Sequence, residues 1–312
     1  MEKYLVFDIG GTYVKYALMN DDYQIYEQGK RPSATDTIEH LMEGLKGIVE
    51  ETGEDYKGIA VSMPGRIDTA RGIAHTGGAY TFIHDLPFAK MLEDAFGKRT
   101  VIGNDAKCAA QAELLSGAMK DAECGAVIVL GTGTGGAIIL DHKVWMGVSG
   151  GAGELSNLVT DIDRYIQNLP LLDGLTSTFS AYGSASGLLM QYAKFKGLPR
   201  IAGFKMSGTE FFEEYDSGSL QAKEALKMFG RYTAAGIMSV QAVLDLERYA
   251  IGGGISARKE ITETIREGLD YLYDSRNNPF SKPEIVTCVH HNEANLIGAL
   301  SFYKEFAEKK EQ

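Results

Sequence analysis

Tyr4-Leu5-Val6-Phe7-Asp8-Ile9, then Gly10-Gly11-Thr12, then Tyr13-Val14-Lys15-Tyr16-Ala17-Leu18-Met19 open the chain. Two runs rich in β-branched and aromatic residues, joined by a glycine turn, predict a β-hairpin. The pattern returns about 120 residues later. There 126–130 is an apolar strand, 131–136 a glycine turn and 137–140 a second strand. Two strand–turn–strand units at that separation point to two related halves.

Working outward from the hairpins, strands alternate with helices. Residues 36–51 place Ile38, Leu41, Leu45 and Ile48 at helical steps, and a short buried strand follows at 58–61, ending in Ser62-Met63-Pro64-Gly65. Asp85 reads as the N-cap of a helix carrying Phe88, Met91, Leu92 and Ala95. Val101-Ile102 is a strand that runs into Gly103-Asn104-Asp105 and a helix to about residue 119. Residues 160–208 are less regular. A long helix over about 220–246 carries Ala222, Leu226, Phe229, Thr233, Ile237 and Val240 on one face. Tyr249-Ala250-Ile251 leads into Gly252-Gly253-Gly254-Ile255-Ser256, with Ser256 expected to cap the next helix. A strand at 284–289 and a helix at 293–308 close an α/β pattern.

The glycine loops carry the chemistry. Gly131, Gly133 and Gly136 satisfy G-x-G-x-x-G, but a strand follows where a dinucleotide-binding fold needs a helix N-terminus. A Walker G-x-x-x-x-G-K-[ST] is absent. What remains is either a tight turn or a cradle in which exposed N–H groups and Thr hydroxyls surround phosphate oxygens. The loops are longer and richer in Gly and Thr than a two-residue hairpin requires. Asp8 ends a buried strand beside the first of them, where an unpaired carboxylate is costly and a magnesium ion would be a partner, directly or through its waters. The phosphate reading is therefore preferred.

Composition narrows the classes. With 312 residues there is material for two cores, and 44% hydrophobic with 23% charged residues is ordinary for a globular chain. A net charge of -11 argues against nucleic-acid binding. Met1-Glu2-Lys3 runs straight into a strand and no apolar run reaches the length of a membrane span, so a cytoplasmic protein with no membrane association is expected. Cys108, Cys124 and Cys288 are odd in number and far apart, which does not read as a disulfide framework.

Taken as a set, these motifs resemble the ROK proteins (repressors, open reading frames and kinases) of the actin–hexokinase–Hsp70 superfamily. Asp8-Ile9-Gly10-Gly11-Thr12 resembles the first phosphate motif, 130–136 the second, and 251–256 the adenosine motif. Asn104-Asp105-Ala106 with Ala109-Ala110 and Glu113 resembles the segment bearing the catalytic Asp, Gly151-Ala152-Gly153-Glu154 the sugar-binding G-x-G-E, and 294–300 the C-terminal helix. The resemblance spans essentially the whole chain. It implies a two-domain actin-like ATPase fold, ribonuclease H-like, with an active-site cleft between the domains. Residues 1–118 completed by 293–312 would form one domain and 119–292 the other.

Three departures stand out. Tyr13 occupies the place of the family's Lys, with Lys15 on the same face two residues on. Asn157 takes the place of a His after Glu154. The zinc motif expected next is missing, since 161–180 holds no Cys or His, and zinc needs about four N or S ligands. A zinc-free branch is expected, with Tyr165, Leu171 and Leu172 packing the loop instead.

The resemblance implies ATP and magnesium as cofactors. Gly10, Gly11, Thr12, Gly131, Thr132, Gly133, Thr134, Gly253 and Gly254 would hold the nucleotide, with Asp8 on magnesium through water. Asp105 would be the base toward the 6-hydroxyl of a hexose, the alternative being a mere helix cap. Asn104, Glu154, Asn157 and Gly65 would bind the sugar. Glu113 reads equally as a solvated residue; His75 and His84, in the loop before the Asp105 strand, either line the sugar cleft or, the preferred reading, are surface groups. Glucose or a β-glucoside is favoured, N-acetylmannosamine being the alternative, with a homodimer expected by resemblance. A sugar-responsive regulator is the rival from another class. The phosphate hairpin beginning at residue 4 leaves no room for a helix-turn-helix before it, and the charge has the wrong sign for DNA. A non-catalytic sugar-binding relic is disfavoured by Asp105 and both intact loops.

Overall fold

The computed structural model describes residues 2–53, 55–167, 177–198, 206–275 and 278–308. The chain divides into two compact units, Met1–Lys120 with Lys143–Ala152 and Asn292–Gln312, and Asp121–His142 with Gly153–His291. Lys143–Ala152, assigned from sequence to the second half, belongs to unit 1.

Unit 1 starts with β1 (Lys3–Ile9), β2 (Tyr13–Asn20), β3 (Ile25–Pro32), α1 (Ile38–Thr52) and β4 (Gly58–Met63). It continues through β5 (Ile67–Asp68), β6 (Ile73–Thr76), β7 (His84–Leu86), α2 (Phe88–Phe96), β8 (Arg99–Asn104) and α3 (Asp105–Ser116). The chain enters unit 2 with β9 (Gly125–Leu130) and β10 (Thr134–Leu140), returns for β11 (Lys143–Trp145), and re-enters for α4 (Ile162–Gln167), α5 (Ala185–Phe195), α6 (Gly208–Asp216) and α7 (Leu220–Leu244). Unit 2 ends with β12 (Arg248–Gly252), α8 (Lys259–Asp274) and β13 (Glu284–Thr287), and α9 (Ala294–Tyr303) comes back to unit 1. No described helix is long and apolar enough to cross a membrane.

The main sheet of unit 1 runs β3-β2-β1-β4-β8. β1 pairs antiparallel with β2 from Lys3↔Asn20 to Ile9↔Val14, while β1, β4 and β8 are parallel. β1 and β4 are covered on both faces, which is why they read as continuous apolar runs rather than alternating ones. The hydroxyl of Thr37 caps α1 by accepting from the His40 N–H, and Leu41, Leu45, Ile48 and Val49 are its buried side chains. Each such aliphatic contributes about 1.5–3 kcal/mol on burial. Nine of the ten residues of α9 are buried, because the helix lies against α3 as well as β1, β4 and β8. At Gly298 the two helices come so close that a Cβ would overlap the carbonyl of Cys108 on α3.

Unit 2 repeats the theme. β9 pairs antiparallel with β10, and β12 lies parallel to both β9 and β13. In each unit, then, the first strand of a glycine-turn hairpin also pairs in parallel with a later strand, which itself pairs in parallel with a third. This matches the duplication signalled by the two glycine hairpins. Ala222, Leu226, Phe229, Thr233, Ile237 and Val240 of α7 are all buried, and α7 stops at Asp245, whose φ is 48°.

Two caps differ from expectation. α2 starts at Phe88 behind Pro87 with no side-chain cap, and Asp85 sits at φ 49° with its carboxylate on His75 Nδ1 at 2.5 Å. Likewise α8 starts at Lys259 behind Arg258, and Ser256 belongs to a short 3-10 turn, its hydroxyl donating to the Gly253 carbonyl at 2.8 Å.

Candidate functional site

In unit 1 the turn after β1 is braced from inside. The Gly10 N–H donates to the Tyr13 carbonyl at 3.0 Å, and the Gly10 carbonyl accepts from Ser33 Oγ at 2.5 Å and Tyr80 Oη at 2.7 Å. Burial pushes the Tyr80 hydroxyl up in pKa, so it stays a donor. Gly10 is thus spent on the turn, and Gly11 and Thr12 form its exposed tip.

Asp8 is 7% exposed, and the partner its burial demands is supplied by protein groups. Its Oδ1 accepts from Asn295 Nδ2 at 2.9 Å and Ser62 Oγ at 3.2 Å. Lys15, directly across the hairpin, brings Nζ to 3.5 Å from Oδ2. Tyr13 instead lies under Lys30, whose Nζ is 4.9 Å from the ring centroid. With these partners Asp8 needs no metal to satisfy its buried charge. Magnesium held with nucleotide phosphates needs only one or two carboxylates, however, and Asp8 fits that role through water. Among the described residues no three His, Cys, Asp or Glu side chains cluster as a metal site.

Asp105 is the first residue of α3, and the cap is Asn104, whose Oδ1 accepts the Lys107 N–H at 3.1 Å. Asn104 Nδ2 donates to the Gly65 carbonyl at 2.9 Å and to Asp105 Oδ1 at 3.0 Å, and the Ala106 N–H adds a bond to the same oxygen at 2.8 Å. The capping alternative for Asp105 is thereby excluded. Asp105 Oδ1 is thus held by two donors at the first turn of α3. Both amide hydrogens of Asn104 are engaged and its Oδ1 caps α3, so the hydrogen bond expected from it to a sugar hydroxyl would fall to the remaining lone pair of Oδ1. Gly65 is reached through its carbonyl. Glu113 is wholly buried rather than solvated, and its Oε2 accepts the Ala118 N–H at 2.7 Å just past the end of α3. His75 is held by Asp85, whose carboxyl the hydrogen bond lowers in pKa, while His84 is exposed.

In unit 2 the Gly131 N–H donates to the Gly133 carbonyl at 3.0 Å, which leaves Thr132 and Gly133 as the exposed tip. Thr134 is not part of that tip. It is 5% exposed, its hydroxyl donates to the Gly183 carbonyl at 2.6 Å and its N–H to Ser180 Oγ at 3.1 Å, so the nucleotide role expected of it is corrected to a structural one. Gly253 has a φ of 91°, and a Cβ there would fall on the backbone of Leu130. Only glycine lets the third loop approach the second this closely. A cavity of about 490 Å³ results, walled by Leu130, Gly131 and Thr132 on one side and Gly254 and Ile255 on the other.

The same wall contains Phe212 and Asp216 of α6, together with Arg258, none of them singled out from sequence. The available signal was the capping box Ser207…Glu210, in which both reciprocal bonds form. Arg258 lowers the pKa of Asp216 through its hydrogen bonds. Glu154 immediately precedes a 3-10 turn, Leu155–Asn157, where the Asn157 N–H donates to the Glu154 carbonyl at 3.1 Å and Asn157 is exposed.

Leu171 and Leu172 lie outside the described residues. Tyr165 is 56% exposed and does not pack as expected. The two ends of its segment are tied instead by the Val159↔Thr178 bridge, and by the Phe179 N–H donating to the Leu158 carbonyl at 2.8 Å above a buried Phe179 ring.

Comparison with known proteins finds relatives that match over nearly the whole chain. An N-acetyl-D-glucosamine kinase of Vibrio atlanticus is 26% identical, with 95% of this chain and 98% of that one covered. A beta-glucoside kinase of Klebsiella pneumoniae is also 26% identical, covering 97% and 96%. The solved structure of a putative N-acetylmannosamine kinase from Listeria monocytogenes superposes with a TM-score of 0.82 at 26% identity, over 99% of this chain and 100% of that one. The sequence profile of the ROK family matches residues 4–306, and the chain belongs to that family, with the actin-like α/β fold of its sugar kinases.

Proposed function

We propose that this ROK sugar kinase transfers the γ-phosphate of ATP to the 6-hydroxyl of glucose or a β-glucoside. The observation that carries the reading is Asp105 at the first turn of α3, its Oδ1 fixed by Asn104 Nδ2 at 3.0 Å and the Ala106 N–H at 2.8 Å. The carboxylate takes the proton of the 6-hydroxyl as that oxygen bonds to the γ-phosphorus and the bond to the β-phosphate oxygen breaks, leaving sugar 6-phosphate and ADP. Positioning and charge neutralisation supply most of the acceleration. The nucleotide occupies the unit 2 cavity, with Thr132 and Gly133 toward its phosphates. Magnesium, when bound, supplies counter-charge to those phosphates, and Asp8 would hold it through water.

Glu154 accepts hydrogen bonds from sugar hydroxyls, and the exposed Asn157 offers a donor and an acceptor beside it. A site this adaptable tolerates varied groups near C1 and C2, which favours glucosides. The second reading is a kinase for a 2-acetamido sugar. It is supported by what two of the relatives are named for and by the fit of an Asn amide to an acetamido group. A panel of glucose, cellobiose, N-acetylglucosamine and N-acetylmannosamine, read as ADP release, decides between them. Turnover of acetamido sugars without glucose or cellobiose overturns the glucoside preference.

Glu154→Ala is expected to raise KM for sugar far more than for ATP, by the equivalent of about 1.5–3 kcal/mol, because hydroxyls lose a charged acceptor. Equal rises in both constants would remove Glu154 from the sugar site. Activity should also require magnesium while the purified protein carries no tightly bound zinc. Elemental analysis giving one zinc per chain would overturn the zinc-free assignment.

A further inference from the structure

We propose that the flat face of the Arg258 guanidinium is the surface on which the purine base of the nucleotide stacks, so that this kinase accepts purine triphosphates as a class rather than ATP alone. The proposal rests on the nucleotide reading of the unit 2 cavity.

Arg258 follows the third glycine loop directly and forms part of the cavity wall. Its Nη1 and Nη2 donate to the two oxygens of Asp216 at 2.9 and 2.7 Å, and its Nε and Nη2 to the two oxygens of Glu260 at 3.1 and 3.0 Å. A guanidinium has five N–H bonds in one plane. Four of them are therefore directed in-plane at carboxylates. One face of the group covers Phe212, with Cζ 4.4 Å from the ring centroid. Phe212 is 5% exposed whereas the Arg258 side chain is 34% exposed, so the guanidinium is the outer layer of this stack.

Two carboxylates and an aromatic ring thus fix the plane before any ligand arrives, which reduces the entropy lost on binding. A phosphate clamp would need the N–H groups, and only one Nη1 hydrogen is left. What the side chain offers instead is its second face, a delocalised cation suited to an aromatic ring. Stacking of this kind is tolerant of base identity, because every base has a π-face, and a two-ring purine covers more of it than a pyrimidine.

The test is calorimetric titration of the full chain with ATP, GTP, CTP and inorganic tripolyphosphate, in wild type, Arg258→Ala and Arg258→Lys. Binding without sugar or turnover makes this independent of which sugar is phosphorylated. Expected are ATP and GTP affinities within roughly tenfold of one another, with CTP weaker, and a loss of roughly 5–150-fold for both purines in the two variants, the span of single-base stacking. Lysine should not rescue, since it keeps the charge but not the plane. Tripolyphosphate affinity should be unchanged, which a general collapse of the cavity would not permit. Wild-type binding of ATP without GTP, unchanged purine affinity in Arg258→Ala, or a parallel loss for tripolyphosphate would each overturn the proposal. If nucleotides bind as expected but no sugar is phosphorylated, the kinase reading fails and the stacking assignment stands.

Discussion

Asp105→Asn is expected to lower kcat by roughly 10²–10⁴ while ATP and sugar still bind. The substitution keeps the size of the side chain and an oxygen that can accept from the Ala106 N–H and Asn104 Nδ2, but it removes the group that takes the proton. Because the cap of α3 is Asn104, the helix start survives. What the fold loses is the favourable interaction of a carboxylate with the helix N-terminus, about 0.3–1 kcal/mol. Stability and catalysis therefore separate cleanly in this variant. Rapid-quench and steady-state rates together with a thermal melt provide the check. A near-normal kcat would mean that another group is the base.

Gly298→Ala is expected to destabilise unit 1 by about 3–5 kcal/mol, unusually much for the addition of one methyl group. In most helices this change is favourable by up to about 1 kcal/mol, because alanine is the better helix former. Here the new Cβ would overlap the Cys108 carbonyl, a backbone atom of the neighbouring helix that cannot rotate away. α3 and α9 must then separate, and α3 carries Asp105 at its first turn. A fall in Tm of roughly 10 °C, accompanied by reduced kcat, is the expected reading. A variant as stable as wild type would show that the helices part at little cost. The same substitution at Gly44 of α1, where a Cβ would meet nothing within 4 Å, is the control and should be neutral or slightly stabilising.

Much of this was legible in the sequence for identifiable reasons. The hairpins at Gly10 and Gly131 could be read because their flanking strands are buried and apolar. The six inward residues of α7 could be read because a long amphipathic helix repeats its signal. Exposed strands and very short ones have no such redundancy. β3, with five exposed and no buried residues over 25–32, and the small sheet β5-β6-β7 were missed on that account. Asp85 and Ser256 are of residue types that commonly cap helices, but each has a nearer partner, in His75 and in the Gly253 carbonyl. Thr134 was grouped with its loop by adjacency. One step into β10 is enough to turn a residue from solvent to core, and sequence spacing alone does not show where the strand begins. The partners of Asp8 lie in β2, β4 and α9, the last nearly 300 residues away, beyond the reach of local pattern.

The way the chain is threaded has a consequence for its biosynthesis. The polypeptide leaves unit 1 after Lys120, returns briefly at Lys143, leaves again after Ala152 and comes back at Asn292. Unit 2 is complete once His291 has been made, whereas unit 1 still lacks α9, the helix enclosed by α3 and three strands of its sheet. About 180 residues separate the end of α3 from the start of α9. At translation rates of about 5–20 residues per second, the apolar face awaiting that helix stays open for roughly 10–35 s on each nascent chain. The first half made is thus the last half finished. Translation that stops before α9 would release a molecule with a finished second unit and an unclosed first one, the form on which chaperones and proteases act.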